Sequence, residues 1–380
     1  MELHERALGF DVPATLGMAV KDVLTPCLVI DLDAFERNVS GLQSRADAAG
    51  VKLRVHGKMH RCADAALYQI AQGACGICCQ KVAEAEAFAR AGIADILVSN
   101  QVRQPVMIDR LVQLPKLGAR TLVCVDDLTN VAELSAAATR HGTEIEILIE
   151  IECGMGRCGG VPGPAVVDLA KAVQDAPGLI FSGIQAYHGS AQHKRIWKER
   201  EAAISGALTA VRTVLSLFET AGIACPIVGG AGTGTYAIEA ASGLYTELQC
   251  GSYAFMDADY GRIEGANGHP ISEFENALFL LSSVMSTNAP GRAVCDAGLK
   301  SQSVDSGLPL VHGLEGISYI GASDEHGILQ DPDDSLVVGD KVHLIPGHCD
   351  PTCNVLDWYV CVRGCMVEAL WPVTARGKSW

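Results

Sequence analysis

From Cys27 onward the chain alternates short apolar runs with amphipathic stretches. Val/Ile-rich runs end near Val55, Cys79, Ser99, Asp126, Glu152, Tyr187, Gly229 and Gln249. Between most of them, apolar residues recur at helical spacing, as in residues 62–71, 82–91, 130–141, 164–176 and 199–221. Eight strand–helix repeats within about two hundred residues predict a closed (β/α)8 TIM barrel. An open doubly wound sheet is the competing arrangement, but it normally has fewer strands and a glycine signal after the first one. Here the dense glycine run comes late, at residues 229–234.

Two segments lie outside this rhythm. Cys27-Leu28-Val29-Ile30-Asp31 reads as a strand, and the helix after it would be capped by Asp33 with Glu36 at the third helical position. Beyond Asp259 the pattern becomes short runs at 277–285, 293–296, 318–322, 341–345, 358–362 and 366–371, separated by Gly, Pro, Asn or Asp. That predicts a C-terminal all-β domain. Because eight barrel strands are counted without Cys27, that strand is expected to join the β domain. The expected organisation is an arm and strand over 1–31, a barrel over 32–259 and a β domain over 260–380.

Charge and composition narrow the function. Asp+Glu outnumber Lys+Arg by 44 to 29, a formal charge of -15, and no basic stripe offers a nucleic-acid surface. No apolar run is expected to span a membrane, and the first residues, Met1 to Arg6, lack the apolar core of a secretory signal. The 15 cysteines follow no repeating framework, as expected of reduced thiols in a cytoplasmic protein. Neither Cys75-Gly76-Ile77-Cys78 nor the Cys349/Cys353 pair has the second knuckle of a structural zinc site.

The candidate chemistry gathers at predicted strand ends. Lys58, in Val55-His56-Gly57-Lys58-Met59-His60, follows the first barrel strand. A partly desolvated amine there, with its pKa lowered, could form a Schiff base. Gly229-Gly230-Ala231-Gly232-Thr233-Gly234-Thr235 follows the seventh strand and precedes a short helix, an arrangement that cradles a phosphate. Gly251-Ser252-Tyr253, after the eighth strand, could complete that cradle. Arg157, after the fifth strand among Gly154, Gly156 and Gly159, could hold an anionic oxygen of a flat ligand. Tyr187 at the sixth strand could pack on a cofactor ring, and His193 one turn later suits proton transfer. His348 and Asp350, read as alternating residues of an extended segment, would point one imidazole and one carboxylate the same way, towards a divalent ion.

These motifs together resemble the pyridoxal-phosphate enzymes of alanine racemase-like fold. Within that fold the chain is similar to the metal-activated D-threonine aldolase and D-serine dehydratase group, particularly the D-threonine aldolases and the 3-hydroxy-D-aspartate aldolases. The resemblance runs from Thr25 to Gly377. It rests on His56-Gly57-Lys58, Gly76 to Val82 with Gln80, Gly156-Arg157-Cys158-Gly159, Gln185 to Gly189, Gly229 to Gly234, Glu247 to Tyr253 and His348 to Thr352. It implies that Lys58 carries pyridoxal phosphate, with Gln80, Arg157 and Tyr187 near the ring. Gly230, Gly232, Thr233, Gly251, Ser252 and Tyr253 would hold the phosphate, and His193 would be catalytic. His348 and Asp350 would be the protein ligands of Mn²⁺ or Mg²⁺, and the enzyme would act as a homodimer. Dehydratases of the group tend to show His-x-Cys at the metal position, so His348-Cys349-Asp350 favours an aldolase. The expected reaction is retro-aldol cleavage of a β-hydroxy-D-amino acid. 3-Hydroxy-D-aspartate is preferred over D-threonine because Lys300, Gln302 and two serines, expected near the opening of the other subunit's active site, could receive a second carboxylate.

Overall fold

The computed structural model describes residues 6–380. Strand β1 (Cys27–Asp31) leads directly into helix α1 (Leu32–Ala48). Eight parallel strands then close into a barrel in sequence order. They are β2 (Lys52–His56), β3 (Gly76–Cys79), β4 (Asp95–Val98), β5 (Arg120–Val125), β6 (Ile145–Glu150), β7 (Leu179–Ala186), β8 (Ile227–Gly230) and β9 (Glu247–Leu248). The ring is sealed where β9 pairs with β2, Glu247 against Lys52 and Leu248 against Leu53. Helices α2 (Ala63–Ala71), α3 (Val82–Arg90), α4 (Pro105–Leu111), α5 (Leu128–His141), α6 (Pro164–Asp175), α7 (Trp197–Thr220) and α8 (Tyr236–Ala241) occupy the crossovers. The closed barrel removes the open-sheet alternative.

Alternation along β2 shows how the sequence builds this ring. Leu53 and Val55 join the large apolar core, whereas Arg54 is fully buried on the other face of the strand. Its guanidinium is satisfied by Glu247 at 2.7 and 3.1 Å and by Asp95 at 2.5 Å. Two carboxylates and three hydrogen bonds compensate the buried guanidinium. Gly76 makes room for it, since a Cβ there would lie 2.8 Å from Arg54 Nη1 and 2.6 Å from the Asp95 carbonyl oxygen. A smaller cluster of Cys78, Leu97, Leu122, Cys124, Leu148 and Ile227 fills another part of the barrel interior.

The second sheet runs β13-β14-β11-β10-β1-β16-β17, with β15 on β10 and β12 on β15. Its remaining strands are β10 (Leu278–Ala289), β11 (Arg292–Cys295), β12 (Leu310–His312), β13 (Ser318–Ala322), β14 (Gly327–Gln330), β15 (Lys341–Ile345), β16 (Trp358–Arg363) and β17 (Met366–Pro372). Strand β1 is antiparallel to β10 and parallel to β16.

Three expectations change. The helix cap is Asp31, whose carboxylate accepts the Ala34 N–H at 3.1 Å; Asp33 and Glu36 pair with Arg363 instead. Because β1 runs into α1 without a loop, the residue that turns from extended to helical backbone is the last one of the strand. His348 and Asp350 do not lie on an extended segment. A one-turn helix, α9 (Cys349–Cys353), begins between them, with His348 as its N-cap and Asp350 in its first turn. Finally, α7 has the length and mean hydropathy (1.3) to cross a bilayer by those two measures. It lies on the barrel, burying Ile204, Ala207, Val211, Val214 and Phe218.

Candidate active site

The C-terminal ends of the barrel strands and α9 of the second sheet meet around Lys58. The ammonium of Lys58 forms an ion pair with the Asp350 carboxylate. Burial works against the charged amine, but the Asp350 carboxylate together with Tyr187 outweighs it, and the Lys58 pKa stands above the ordinary lysine value. This direction is opposite to the lowering expected from the sequence, which could not show a carboxylate arriving from 292 residues away. Burial raises the Asp350 pKa, yet Lys58 and then His348 outweigh it and bring it to about 2. The Tyr187 phenol is raised by burial, and the Lys58 charge acts on it in the opposite direction.

Two histidines face one another beside this pair, their ring centroids 6.4 Å apart. His193 Nδ1 lies 2.6 Å from Asp259 Oδ2, and this hydrogen bond raises the histidine pKa despite partial burial. Arg195 pairs with the same carboxylate and donates to the Asp259 carbonyl at 2.6 Å. His348 Nε2 stands 3.8 Å from Asp350 Oδ2. That separation is within the span of two ligands each about 2.1 Å from one divalent ion. Among the described residues no group of three or more His, Cys, Asp and Glu side chains forms a metal cage, so the candidate ligands stand as a pair. Cys349 is fully buried, its N–H bonded to Asp257 Oδ2 at 2.8 Å.

The segment after β9 fastens the two halves of the site together. Ala258 N–H donates to the Pro346 carbonyl at 2.9 Å and Asp259 N–H to that of Gly347 at 3.2 Å. Asp257, Asp259 and Asp305 were not anticipated from sequence. The Asp257-Ala258-Asp259 spacing just beyond the last barrel strand was the only available signal.

The glycine loop is braced by Gln192. Its side-chain oxygen accepts the Gly234 N–H at 2.9 Å, and its amide donates to Thr235 Oγ1 at 2.8 Å. A Cβ at Gly232 would fall 2.6 Å from Gln192 Oε1, so a side chain there would have to push the bracing amide aside. Thr233 Oγ1 accepts the Tyr253 N–H at 3.0 Å and ties the loop to the turn carrying Gly251 and Ser252. The Tyr253 phenol points away into the core, where it accepts from Gln69 Nε2 at 2.9 Å, so only its backbone borders the cradle. Gly230 packs against the Ala186 carbonyl at the β7–β8 junction. Gln80 lies 3.1 Å from His56 Nε2 and donates to Ser99 Oγ at 3.1 Å. Arg157, partly exposed, sits 3.8 Å from Glu150, which also accepts from Gln101 at 2.6 Å.

The segment offered for a second carboxylate is otherwise engaged. Lys300 pairs with Glu325 at 2.6 Å, and Gln302 is buried against the Tyr319 hydroxyl at 3.2 Å. Neither side chain is presented to the site of its own chain.

A lysine at a barrel strand's C-terminal end, with a braced glycine loop and an arginine after neighbouring strands, is a donor set that fits pyridoxal phosphate. The class is therefore a pyridoxal-phosphate enzyme built on a barrel and a β domain. Residues 30–259 match the alanine racemase N-terminal domain model, and residues 277–362 match that of a putative serine dehydratase domain. The chain belongs to the alanine racemase N-terminal domain family, and within it to the carbon–carbon lyases. It is 55% identical over 376 residues to a 3-hydroxy-D-aspartate aldolase of Paracoccus denitrificans strain Pd 1222, covering 98% of this chain and 97% of that one. A D-threonine aldolase of an Arthrobacter species is 44% identical over 380 residues, with 98% of each chain covered. The crystal structure of D-threonine aldolase from Filomicrobium marinum superposes with a TM-score of 0.93 at 44% identity, over 97% of this chain and all of that one.

Proposed function

We propose that the enzyme cleaves 3-hydroxy-D-aspartate to glycine and glyoxylate, assisted by a divalent ion of the Mn²⁺ or Mg²⁺ type. The observation that carries this reading is the 55% identity, over nearly full length, to a 3-hydroxy-D-aspartate aldolase, against 44% to a D-threonine aldolase. A homodimer in the cytoplasm belongs to the same reading.

Pyridoxal phosphate, when bound, supplies the electron sink that lets a bond to the amine-bearing carbon break. Lys58 would hold it covalently, with Arg157, Tyr187 and Gln80 around its ring. The loop containing Gly230, Gly232 and Thr233, with Gly251, Ser252 and the backbone of Tyr253, would hold its phosphate. His348 and Asp350 would hold the ion, whose contribution is to make the substrate's β-hydroxyl more acidic. His193 is the group to receive that hydroxyl proton at Nε2, because Asp259 occupies its Nδ1. Alkene-forming loss of the hydroxyl would instead require Lys58 or another base to take the proton from the α-carbon.

Substrate choice is tested by kcat/KM measured side by side on D-threonine and on the 3-hydroxy-D-aspartate diastereomers with Mn²⁺ or Mg²⁺. Glyoxylate, acetaldehyde and oxaloacetate are scored separately. The proposal expects glyoxylate and the higher efficiency on a 3-hydroxyaspartate. Higher efficiency on D-threonine makes the enzyme a threonine aldolase, and oxaloacetate as the main product makes it a dehydratase.

The role of His193 has its own test. His193→Asn should lower kcat by about 10²–10⁴-fold, the usual contribution of a general base. Because Asp259 raises the His193 pKa, the acid limb of the wild-type profile should lie above the ordinary histidine value. Asp259→Asn removes the stabilising charge and should move that limb to lower pH. An acid limb that does not move assigns the titration to another group.

A further inference from the structure

The loop between β11 and β12 brings Asp305 against the site, and the reaction above gives it no task. Its Oδ2 lies 2.9 Å from His348 Nδ1. Ser303 Oγ donates to Oδ1 at 2.8 Å and Ser306 Oγ to Oδ2 at 3.2 Å. The loop is clasped to the α9 segment at two further points. Ser303 N–H donates to Thr352 Oγ1 at 3.2 Å, and Gly347 packs so closely on the Gly307 carbonyl that a Cβ would fall 2.1 Å from its oxygen. The carboxylate is therefore held on both sides, by its own hydroxyl donors and by the backbone clasp.

An imidazole bonded through Nδ1–H to a carboxylate has its tautomer and ring plane fixed, with the lone pair left on Nε2. In His348 that nitrogen faces Asp350. We propose that Asp305 is a positioning residue for His348, holding its ring so that Nε2 and the Asp350 carboxylate offer one nitrogen and one oxygen to a divalent cation. The inference rests on the proposed ion site at His348 and Asp350. Asp305 touches neither substrate nor ion in this role.

The test is Mn²⁺ binding to the pyridoxal-phosphate-loaded enzyme, read from the paramagnetic resonance signal of free Mn²⁺. Wild type, His348→Ala, Asp305→Asn and Asp305→Ala are compared at one pH, with the cofactor absorption band as a check on folding. Loss of a carboxylate behind a ligating histidine weakens metal binding about 10–100-fold, and that is the expected change in Kd for both Asp305 variants. A second readout is the ¹⁵N spectrum of His348 without metal. Wild type should show the Nδ1–H tautomer, and Asp305→Ala a mixture or the Nε2–H form, which a merely structural role would not produce. If His348→Ala abolishes binding while both Asp305 variants bind like wild type with an unchanged tautomer, the inference is overturned and the ion site stands. If wild type itself binds no Mn²⁺, the ion site fails and the positioning role fails with it.

Discussion

Lys58→Ala should abolish the absorption band of bound pyridoxal phosphate above 400 nm and reduce turnover by on the order of 10⁴-fold or more, as loss of a covalent-catalysis residue does. The chain contains other lysines near the barrel mouth, and Lys81 at the N-cap of α3 is the nearest rival by sequence. Two facts separate them. Lys58 follows β2 directly at the barrel's C-terminal end, and its amine reaches the Asp350 carboxylate across the domain boundary. Lys81 lies beyond Gln80, whose side chain turns inward to His56 and Ser99. Borohydride reduction of wild type followed by peptide mapping should place the pyridoxyl group on Lys58. A label on Lys81, or on no lysine, defeats the assignment.

Alanine at His348 or at Asp350 should remove metal-stimulated turnover while leaving the cofactor band nearly intact. A Lewis acid contributes several kcal/mol, so the expected loss is about 10²–10³-fold. Cys349→Ala should leave metal stimulation in place, because that fully buried thiol sits beside Asp257 and meets Asp350 Oδ2 at 3.7 Å only as a hydrogen-bond donor. The reverse pattern, with Cys349 essential and Asp350 dispensable, would transfer the ligand role to the cysteine and favour dehydration. Asp350→Ala has a second expected effect. It removes the charge that holds the Lys58 pKa up, so in protein stripped of cofactor the lysine should titrate lower than in wild type. Amine-modification rate against pH would show the shift.

What the sequence disclosed and what it hid follow from the range of the interactions. Eight barrel strands were legible because each carries its own apolar run and most are followed by a helical pattern. Strands β12 (Leu310–His312) and β14 (Gly327–Gln330) were not, since three or four residues with mixed burial show no period. Lys58, His193, His348 and Asp350 could be picked out singly and do converge. Their partners Asp259 and Asp305 could not, lying 66 and 43 residues from the histidines they hold. The pairing of His348 with Asp350 was expected for the wrong backbone reason. Pro351 is compatible with the first turn of a helix, so α9 starts where an extended segment was expected.

The position of β1 between β10 and β16 has a consequence for how the molecule is made. During synthesis the barrel strands, ending at Leu248, leave the ribosome well before Trp358 to Pro372, so the ring can close first. The strand that emerges before the barrel can pair with β10 soon after the ring is made, but its other edge must wait for β16, which emerges more than a hundred residues after the barrel is complete. The nascent barrel therefore carries Lys58 before the segment that brings Asp350 to it has emerged. The two halves of the candidate site are made at different times, and the earlier one gains its Asp350 contact only when the later segment packs onto it.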